Sequence, residues 1–256
     1  MEVVMIMVFF LVLLVGYMLY LAFQVNVKEH TMPIREMKEG ERFHLFFISD
    51  IHRRKISDQL IHSLMGKADI VVIGGDLTEK GVPFSRIEQN IKQLCKLGNV
   101  YFVYGNNDRE VEEQTFRSIL EENGVVLLKN DSVLLPKTNQ SIRIVGIDDG
   151  FTGKVRIYDA FRDVKDDEIV IFVSHAPAFF SNAKKVAKPH LLLAGHLHGG
   201  QIRFGRFGLY ENGSFQIKEN SAELISNGFG TTGVPLRLGA KSECHIITLY
   251  GEVRKK

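Results

Sequence analysis

The first 27 residues restrict the fold more than any other stretch, because residues 3–27 contain no charged side chain. Val, Leu, Ile, Met and Phe dominate this run, and as a helix it is long enough to cross about 30 Å of hydrocarbon. A cleaved signal peptide typically has a basic start, a shorter apolar core and small residues before the cleavage site, whereas this run begins Met1-Glu2 and continues past Phe23. A buried core helix is the other interpretation, but the polar chain begins only after the run. The sequence therefore predicts a retained transmembrane helix.

Basic residues flank the run on one side only. Lys28, Arg35, Lys38 and Arg42 follow it, while the α-amino group is the only cation before it. Because cytoplasmic loops of membrane proteins carry an excess of Lys and Arg, this asymmetry predicts a single-pass protein whose remaining chain lies in the cytoplasm.

The rest of the composition is that of one globular domain. After the apolar run roughly 230 residues remain, which suits a single large α/β unit. Charged residues make up 24% of the chain and the net charge is +2, so neither a nucleic-acid-binding surface nor a disordered acidic segment is indicated. The two cysteines, Cys95 and Cys244, are far apart and lack a C-x-x-C spacing, which argues against a thiolate zinc site or a disulfide framework.

Short apolar runs alternate with longer mixed segments from residue 44 onwards, as expected for βαβ units. Strands are predicted at 45–48, 70–73 and 100–103, with helices between and after them at 57–65, 85–97 and 112–122. Further apolar runs favour a large sheet system, with two packed sheets as one arrangement. These later runs cover residues 125–128, 142–147, 169–173, 191–193 and 246–249. We expect a transmembrane anchor at 1–27, a linker at 28–42 and one domain at 43–256.

Polar motifs follow five of these predicted strands, at the point where each strand ends. The motifs are Asp50-Ile51-His52, Gly75-Asp76, Gly105-Asn106-Asn107-Asp108, His175 and Gly195-His196-Leu197-His198. Open α/β sheets place ligands at the carboxyl ends of their strands, so we expect these motifs to meet there.

The motifs contain the donors that a site for two divalent cations requires. Such a site needs several oxygen and nitrogen ligands, with one group able to bridge both ions. Asp50 and His52 are two residues apart and can converge on one cation, while Asp76 offers a carboxylate for the bridge. The candidate metal ligands are Asp50, His52, Asp76, Asn106, His175, His196 and His198.

In type and order these motifs resemble those of the calcineurin-like metallophosphoesterases, whose pattern is D-x-H, G-D, G-N-H-D/E, H and G-H-x-H. The match runs from residue 50 to residue 198, and the stretch 227–237 is similar to the membrane-linked bacterial branch of that family. The resemblance implies a four-layer α/β fold, in which two packed mixed β-sheets are flanked by helices. It also implies a first metal held by Asp50, His52, Asp76 and His198, and a second held by Asp76, Asn106, His175 and His196, with Asp76 as the bridge.

Two cations held in this way suit the hydrolysis of phosphate esters. Metal ions about 3.5 to 4 Å apart lower the pKa of a bridging water and clamp the attacking and leaving oxygens during in-line displacement at phosphorus. We therefore expect a hydroxide to attack a phosphodiester, phosphomonoester or pyrophosphate without a covalent intermediate. Ligands of this mixed kind suit Mn²⁺, Fe or Zn²⁺, and Mn²⁺ is favoured. The membrane anchor adds phosphorylated lipids to phosphorylated small molecules as candidate substrates.

Residue 107 departs from the family pattern, because the family has His where this chain has Asn107. Asn cannot act as a general acid, a contribution typically worth about 10² to 10⁴-fold, although its amide can donate a hydrogen bond to a phosphoryl oxygen. Asp108, whose family counterpart orients that His, lacks this partner and is expected to cap the following helix. The predicted catalytic residues are Asp76, Asn107 and Asp108.

Two other functions are compatible with the sequence. One is a metal-dependent module that binds phosphoryl ligands with weak or no turnover, because Asn107 replaces the usual His. The other is a membrane scaffold in which the His cluster is structural.

Two further features each allow two interpretations. The stretch 228–233 matches G-x-G-x-x-G, but Pro235 follows it and no helix opens there, so a glycine-rich loop beside the site is favoured over a dinucleotide site. Arg53, Arg54 and Arg237 either contact substrate phosphate or have another role, such as a solvated turn.

Overall fold

In the part of the chain that the structure describes, two six-stranded β-sheets carry helices on their outer faces. The computed structural model describes residues 1–136, 138, 140–218 and 221–252. The helices are α1 (Glu2–Phe23), α2 (Asp58–Leu64), α3 (Phe84–Cys95), α4 (Glu113–Glu122), α5 (Ile157–Ala160) and α6 (Phe180–Val186). The strands are β1 (Val27–Pro33), β2 (Arg42–Ile48), β3 (Ile70–Ile73), β4 (Asn99–Phe102), β5 (Val126–Leu127), β6 (Asp131–Leu134), β7 (Ile142–Gly146), β8 (Ile169–Val173), β9 (Leu191–Ala194), β10 (Arg203–Phe204), β11 (Phe207–Gly208), β12 (Ser214–Lys218), β13 (Ser221–Ile225) and β14 (Cys244–Tyr250).

Both sheets are mixed, with a parallel centre. The first sheet has the order β1-β14-β2-β3-β4-β5, in which β2 to β5 run parallel and β14 is antiparallel to β2. The second has the order β12-β13-β9-β8-β7-β6, in which the edge strands β12 and β6 are antiparallel to their neighbours. The helices α2, α3 and α4 connect the parallel strands of the first sheet, as the alternation in the sequence predicts.

Three apolar layers hold these elements together. Phe46 and Phe47 are consecutive on β2, so their side chains point to opposite faces of the sheet. Phe46 packs in the layer beneath α2 to α4 with Phe116, while Phe47 packs with Ile171 between the two sheets. Ala183 on α6 belongs to a third layer on the outer face of the second sheet. This is the four-layer arrangement that the family resemblance implies, and the predicted fold class is confirmed.

Residues 28–42, for which the sequence predicts a linker, contribute strand β1. It pairs in parallel with β14, from Val27 opposite Cys244 to Pro33 opposite Tyr250. The strand lies at the edge of the sheet and most of its side chains are partly exposed, so it lacks the apolar pattern that marks the central strands. Only residues 24–26 separate this strand from α1, which ties the helix directly to the sheet.

Helix α1 is apolar on all sides, and its length and composition suffice to cross a membrane. Its residues up to Tyr17 are exposed, whereas Met18, Leu21 and Ala22 near its carboxyl end are buried against the domain. The part of α1 up to Tyr17 therefore projects from the domain, and the last turns of the helix pack against the domain.

Candidate metal centre

Most of the predicted metal ligands have a left-handed backbone conformation, which non-glycine residues rarely adopt. The positive φ angles are 55° at Asp50, 51° at His52, 51° at Asp76, 72° at His196 and 50° at His198. Such conformations cost about 1–3 kcal/mol each and persist where the surrounding structure enforces them, typically at functional sites. The loops after the strands are therefore shaped to direct these side chains.

Hydrogen bonds join the loops of the two sheets. The amide of Asp50, after β2, donates to the carbonyl oxygen of Gly75, after β3, at 2.9 Å. The amide of Gly195, after β9, donates to the carbonyl oxygen of His175, after β8, at 2.9 Å. The amide of His196 then donates to Asp50 Oδ1 at 3.0 Å, which links the first sheet to the second. The strand-end motifs thus meet at one place, between the sheets.

Two glycines permit this close approach. A Cβ atom on Gly105 would lie 2.2 Å from Asp76 Oδ1, and a Cβ atom on Gly195 would lie 2.3 Å from Asp50 Oδ2. Neither distance is possible for real atoms, so a side chain at either position would displace a predicted ligand.

Asp50, His52 and His198 form a first cluster, in which the ligand atoms lie within 4.8 Å of one another. His198 Nε2 lies 3.4 Å from Asp50 Oδ1 and 3.1 Å from His52 Nε2. All three residues are buried. One cation between these atoms could be held by all three.

Asp50, Asp76 and His175 form a second cluster within the same limit. His175 Nε2 lies 3.3 Å from Asp76 Oδ2 and 3.1 Å from His196 Nδ1. Asp76 Oδ2 also lies 3.6 Å from His52 Nε2 of the first cluster. Asp76, a member of the second cluster, therefore also faces the first, and Asp50 belongs to both.

Asn106 supplies a test of whether these residues fit a metal. Its Oδ1 is buried and lacks a hydrogen-bond partner among the described residues, while its Nδ2 donates to Asn107 Oδ1 at 2.6 Å. A buried oxygen without a partner costs about 1–3 kcal/mol, and a cation would remove that cost. Carboxylate, amide and imidazole donors together are a ligand set that divalent metals accept. The donor set therefore fits.

Two ligand histidines are oriented by partners on their other ring nitrogen. His52 Nδ1 lies 3.0 Å from Glu79 Oε2, and His175 Nδ1 lies 2.9 Å from the carbonyl oxygen of Gly74. A partner that accepts from Nδ1 keeps the proton there and leaves Nε2 free to bind a metal. The motifs do not predict Glu79, which lies three residues beyond Asp76 and becomes visible only through its contact with His52.

The charges within the clusters favour a cation. Burial works against ionisation of Asp76, but His175 and His52 outweigh it and lower the pKa of this carboxyl to about 2. Burial also opposes protonation of His175, yet Asp76 raises its pKa to about 10. For His198, burial together with His52 and Arg237 lowers the pKa to about 4. At neutral pH Asp76 is thus a carboxylate and His198 a neutral imidazole, the forms in which each binds metals. Without a metal His175 carries a proton that Asp76 stabilises, and a cation bound at Nε2 would take the place of that proton.

Asp108 organises the backbone around Asp76. Its buried carboxylate accepts hydrogen bonds from the amides of Asp76 at 2.8 Å, Thr78 at 3.0 Å and Gly105 at 2.8 Å. Burial, with Asp76 nearby, raises the pKa of Asp108 to about 7. The expectation that Asp108 caps the following helix is wrong, because its carboxylate is engaged with these loops and Glu112 caps α4.

A cavity of about 280 Å³ opens beside the clusters. Its lining includes the predicted ligands His52 and His196 together with Asn107, Tyr210 and Thr232. The backbone amide of Asn107 also donates to the bridging candidate, Asp76, at 2.8 Å from Oδ1. Asn107, the residue that departs from the family pattern, therefore lies in the cavity wall, next to the two clusters.

The glycine-rich stretch packs against the site, as favoured from the sequence. The amide of Phe229 donates to the carbonyl oxygen of Ser49 at 2.9 Å, and the amide of Gly230 donates to that of Asp50 at 2.6 Å. The residues from here to β14 contain no helix, so the geometry of a dinucleotide fingerprint is lacking in this described stretch.

Arg54 and Arg237 donate to carbonyl oxygens inside the protein, which favours a structural role over contact with substrate phosphate. Arg54 Nη2 donates to the carbonyl oxygens of Phe23 and Gln24, each at 2.6 Å. Arg237 is fully buried, and its Nη2 donates to the carbonyl oxygen of Asn227 at 2.6 Å. Both guanidinium groups therefore hold backbone segments together beside the site.

The four-layer fold, with buried Asp, His and Asn donors at its strand ends, defines a metallophosphoesterase, and the sequence comparisons agree. The calcineurin-like phosphoesterase profile matches residues 43–200, a range that includes every predicted metal ligand. The chain belongs to the calcineurin-like phosphoesterase family. Membership supports a hydrolase of phosphoester bonds with a divalent metal site.

Several proteins are similar to this chain. The uncharacterized protein YpbG of Bacillus subtilis strain 168 is 44% identical over 228 residues, which cover 88% of each chain. Phosphodiesterase YaeI of Escherichia coli K12 is 26% identical over 175 residues, 63% of this chain and 62% of that one. A solved structure of a putative 5'-nucleotidase from Staphylococcus aureus has a TM-score of 0.52 at 10% identity, and the match covers 84% of this chain and 56% of that chain. The latter likeness concerns the fold alone.

Proposed function

We propose that this protein is a phosphoesterase that uses two divalent cations to hydrolyse phosphate esters beside a membrane. In this proposal residues 1–27 anchor the chain, and the domain at 43–256 lies on the cytoplasmic side, as the basic residues after the span favour. One cation would be held by Asp50, His52, Asp76 and His198, and the other by Asp76, Asn106, His175 and His196. Mn²⁺ is the favoured ion, with Zn²⁺ and Fe as alternatives.

The position of Asp76 is the observation that supports this proposal best. Its Oδ2 lies 3.6 Å from His52 Nε2 and 3.3 Å from His175 Nε2, and these two imidazoles belong to different clusters. Its Oδ1 accepts the amide of Asn107 at 2.8 Å, which fixes the orientation of the carboxylate. A rigid carboxylate between two groups of donors is what a bridging ligand requires.

The residues of the cavity suggest how a substrate would be handled. The cations would supply an activated water and neutralise charge on the phosphoryl oxygens. Because Asn107 Oδ1 accepts from Asn106, the Nδ2 of Asn107 is the group able to donate to a phosphoryl oxygen. Asn107 cannot protonate a leaving group, so esters whose leaving group departs as a stable anion are the preferred substrates. A leaving group that is itself a nucleotide or a pyrophosphate is of this kind.

Removal of the bridging carboxylate tests the proposal. The full chain in detergent with Mn²⁺ should hydrolyse an aryl phosphodiester, and Asp76→Asn should lower the rate by at least about 100-fold, since loss of even an outer metal partner can cost that much. Asp131→Asn, at an exposed position on β6, is the matched control and should retain activity. Equal rates for the parent and Asp76→Asn would refute the proposed metal centre.

Removal of the metal is a second test. A chelator should abolish hydrolysis while the far-ultraviolet circular dichroism stays native, because three apolar layers hold the fold independently of the site. Global unfolding on chelation would instead support the scaffold function, in which the His cluster is structural.

A phosphoryl-binding module without turnover is the second candidate, and Asn107 is the residue that favours it. The name of the relative YaeI, a phosphodiesterase, favours the enzyme. Protection of the full chain from thermal unfolding by Mn²⁺ and phosphate esters, with no product released, would decide for the binding module.

A further inference from the structure

An exposed apolar surface borders the metal cavity. It consists of Phe204, Phe207, Leu209, Tyr210 and Val234, each between 49% and 80% exposed, and is called the apolar rim below. Phe204 and Phe207 are paired opposite each other on β10 and β11, so both rings lie on one face of the hairpin. Leu209 and Tyr210 also line the cavity. Exposed apolar patches of this kind mark surfaces that contact a partner.

A buried arginine holds the hairpin in place. Arg203 donates from its guanidinium to the carbonyl oxygens of Gly199 at 2.9 Å, Gly205 at 3.1 Å, Arg206 at 3.1 Å and Tyr210 at 2.8 Å. Gly199 directly follows the predicted ligand His198, so the same side chain joins the hairpin to the candidate metal centre. The hydrogen bonds of Arg203 therefore hold the hairpin of the apolar rim in a defined conformation, and its exposure is not the result of a loose loop.

Hydrogen bonds connect the apolar rim to helix α1. Gln201, at the base of the hairpin, donates from Nε2 to the carbonyl oxygen of Val234 at 2.9 Å. The amide of Leu238 donates to the carbonyl oxygen of Gln201 at 3.0 Å, and the amide of the adjacent Arg237 donates to that of Met18 at 3.1 Å. The apolar rim and the membrane-spanning helix are therefore parts of one connected unit.

The carboxyl end of α1 is clamped to the domain. Arg54 Nη2 donates to the carbonyl oxygens of Phe23 and Gln24, and the guanidinium lies 3.9 Å from the centre of the Phe229 ring. A cation at the carboxyl end of a helix is favourable because it offsets the partial negative charge there. With β1 starting at Val27, no flexible spacer separates the helix from the sheet.

The length of α1 sets the depth of this unit in a bilayer. A helix of 22 residues is about 33 Å long and the hydrocarbon layer is about 30 Å thick, so nearly the whole helix is needed to cross it. Met18 lies five residues before the end at Phe23, which is about 7.5 Å back along the axis towards the bilayer. The backbone hydrogen-bonded to Met18 therefore reaches the edge of the hydrocarbon.

We propose that the apolar rim inserts into the interfacial layer of the same bilayer that α1 crosses, so that the metal cavity opens towards phosphate esters in the lipid headgroups. The proposal rests on the membrane anchor and the hydrolase of the proposed function. It adds a second membrane contact and the substrate class, an amphiphilic phosphate ester. Arg206, whose guanidinium lies 5.3 Å from the Phe207 ring, fits this position, since a cation beside apolar residues suits anionic headgroups.

Tryptophan fluorescence can test the position of the rim, because the chain contains no Trp. We would prepare Phe207→Trp in the rim, Val12→Trp in α1 and Tyr158→Trp on α5 in the full chain. Tyr158 is a matched control, since it is exposed like Phe207 but lies on α5, whose Ala160 packs in the layer on the outer face of the second sheet. The proteins are reconstituted in phosphatidylcholine and phosphatidylglycerol vesicles with and without brominated acyl chains.

Brominated lipid should quench Phe207→Trp and Val12→Trp, and it should leave Tyr158→Trp unchanged. Quenching of Val12→Trp but not of Phe207→Trp would overturn the rim proposal and leave the anchor intact. Absence of quenching in Val12→Trp would overturn the anchor itself. Blue-shifted emission of Phe207→Trp without quenching would show that a protein surface, such as a second copy, covers the rim instead.

A double variant tests the substrate class. Phe204→Ser combined with Phe207→Ser should lower hydrolysis of a lipid pyrophosphate, diacylglycerol pyrophosphate or CDP-diacylglycerol, in vesicles by on the order of tenfold, because apolar contact area sets interfacial binding. Hydrolysis of a soluble aryl phosphodiester should change little, which also shows that the variant is folded. Equal losses on both substrates, or a parent that cleaves the soluble ester and neither lipid, would overturn the substrate class while the proposed hydrolase stands.

Discussion

At position 107 the cavity carries an amide where the family pattern has an imidazole, and this single side chain sets an expectation about leaving groups. We predict that Asn107→His raises kcat for esters with alkyl leaving groups by about 10² to 10⁴-fold, the range of general acid assistance. Hydrolysis of an aryl diester should change much less, because its leaving group needs no proton. Steady-state kinetics on the two substrates would check this.

The matched variant for this prediction is Asn107→Gln, which keeps the amide and supplies no acid. It should give no gain on the alkyl ester. If Asn107→His also leaves the alkyl ester rate unchanged, protonation of the leaving group is not the step that Asn107 limits.

Glu79 is the second residue whose effect can be predicted, because its carboxylate contacts His52, a predicted metal ligand. Its carboxylate lies 3.0 Å from His52 Nδ1, and the hydrogen bond to His52 lowers the pKa of Glu79 despite partial burial. Glu79→Gln should weaken metal binding by about 10 to 100-fold, as for other partners of ligand histidines. The Mn²⁺ concentration that gives half-maximal activity measures this.

Glu113→Gln is the control for Glu79, since that carboxylate is exposed and pairs only at 3.9 Å with Arg109. It should leave the metal requirement unchanged. A Glu79→Gln enzyme with the same Mn²⁺ requirement as the parent would mean that His52 is held without its carboxylate partner.

At the scale of elements, the loop after β4 can approach the loop after β3 only because residue 105 has no side chain. A Cβ atom on Gly105 would lie 2.2 Å from Asp76 Oδ1 and 2.4 Å from the Asp76 backbone nitrogen. Gly105→Ala should therefore separate the loops, lower the free energy of unfolding by about 1–3 kcal/mol and abolish hydrolysis. Thermal unfolding and the aryl diester assay report the two effects.

Gly66→Ala is the control for Gly105→Ala, because it introduces backbone strain without a steric clash. Gly66 has a φ of +71°, and a Cβ atom there would have nothing within 4 Å. The substitution should cost about 1 kcal/mol through strain and leave activity intact. Loss of activity in Gly66→Ala as well would mean that stability, and not the Asp76 loop, limits hydrolysis.

At the scale of the whole molecule, a buried histidine makes stability depend on pH. His245 is almost fully buried on β14, where its Nε2 lies 3.0 Å from Ser226 Oγ and its Nδ1 lies 3.1 Å from His30 Nε2. Burial, with His30 adding to it, lowers the pKa of His245 well below the usual value. The folded protein therefore keeps this ring neutral where the unfolded chain protonates it.

The sign of the effect follows from the proton count. Below an unfolded-state pKa of about 6.5 the unfolded chain binds more protons, so the free energy of unfolding falls as the pH falls. His245→Gln should flatten this dependence between pH 7.5 and pH 5, measured by urea unfolding in detergent. His62→Gln, at an exposed position, is the control, and an equal flattening there would contradict the assignment to His245.

The sequence alone determined the features that depend on local pattern. Apolar runs 45–48, 70–73 and 191–193 mark the central strands because those strands are covered on both faces, and the polar motifs stand out because they interrupt these runs. The run at 3–27 is visible because its length without a charged residue is that of a membrane-spanning helix. The alternation predicted βαβ units and a large sheet system, and the four layers were implied only by the resemblance to the family.

Only the tertiary structure decided which residues act on one another across the chain. Strand β1 is bound through its backbone at a sheet edge, Glu79 reaches His52 across a loop, and Arg54 holds the end of α1. Periodicity and motif spacing report only on residues that are near one another along the chain. The contacts of Glu79 and Arg54 depend on the tertiary structure. Strand β1 pairs through backbone atoms that every residue has, so its side chains do not reveal it. The apolar rim is also a result of the tertiary structure, because the sequence does not show which Phe residues are exposed and which are buried.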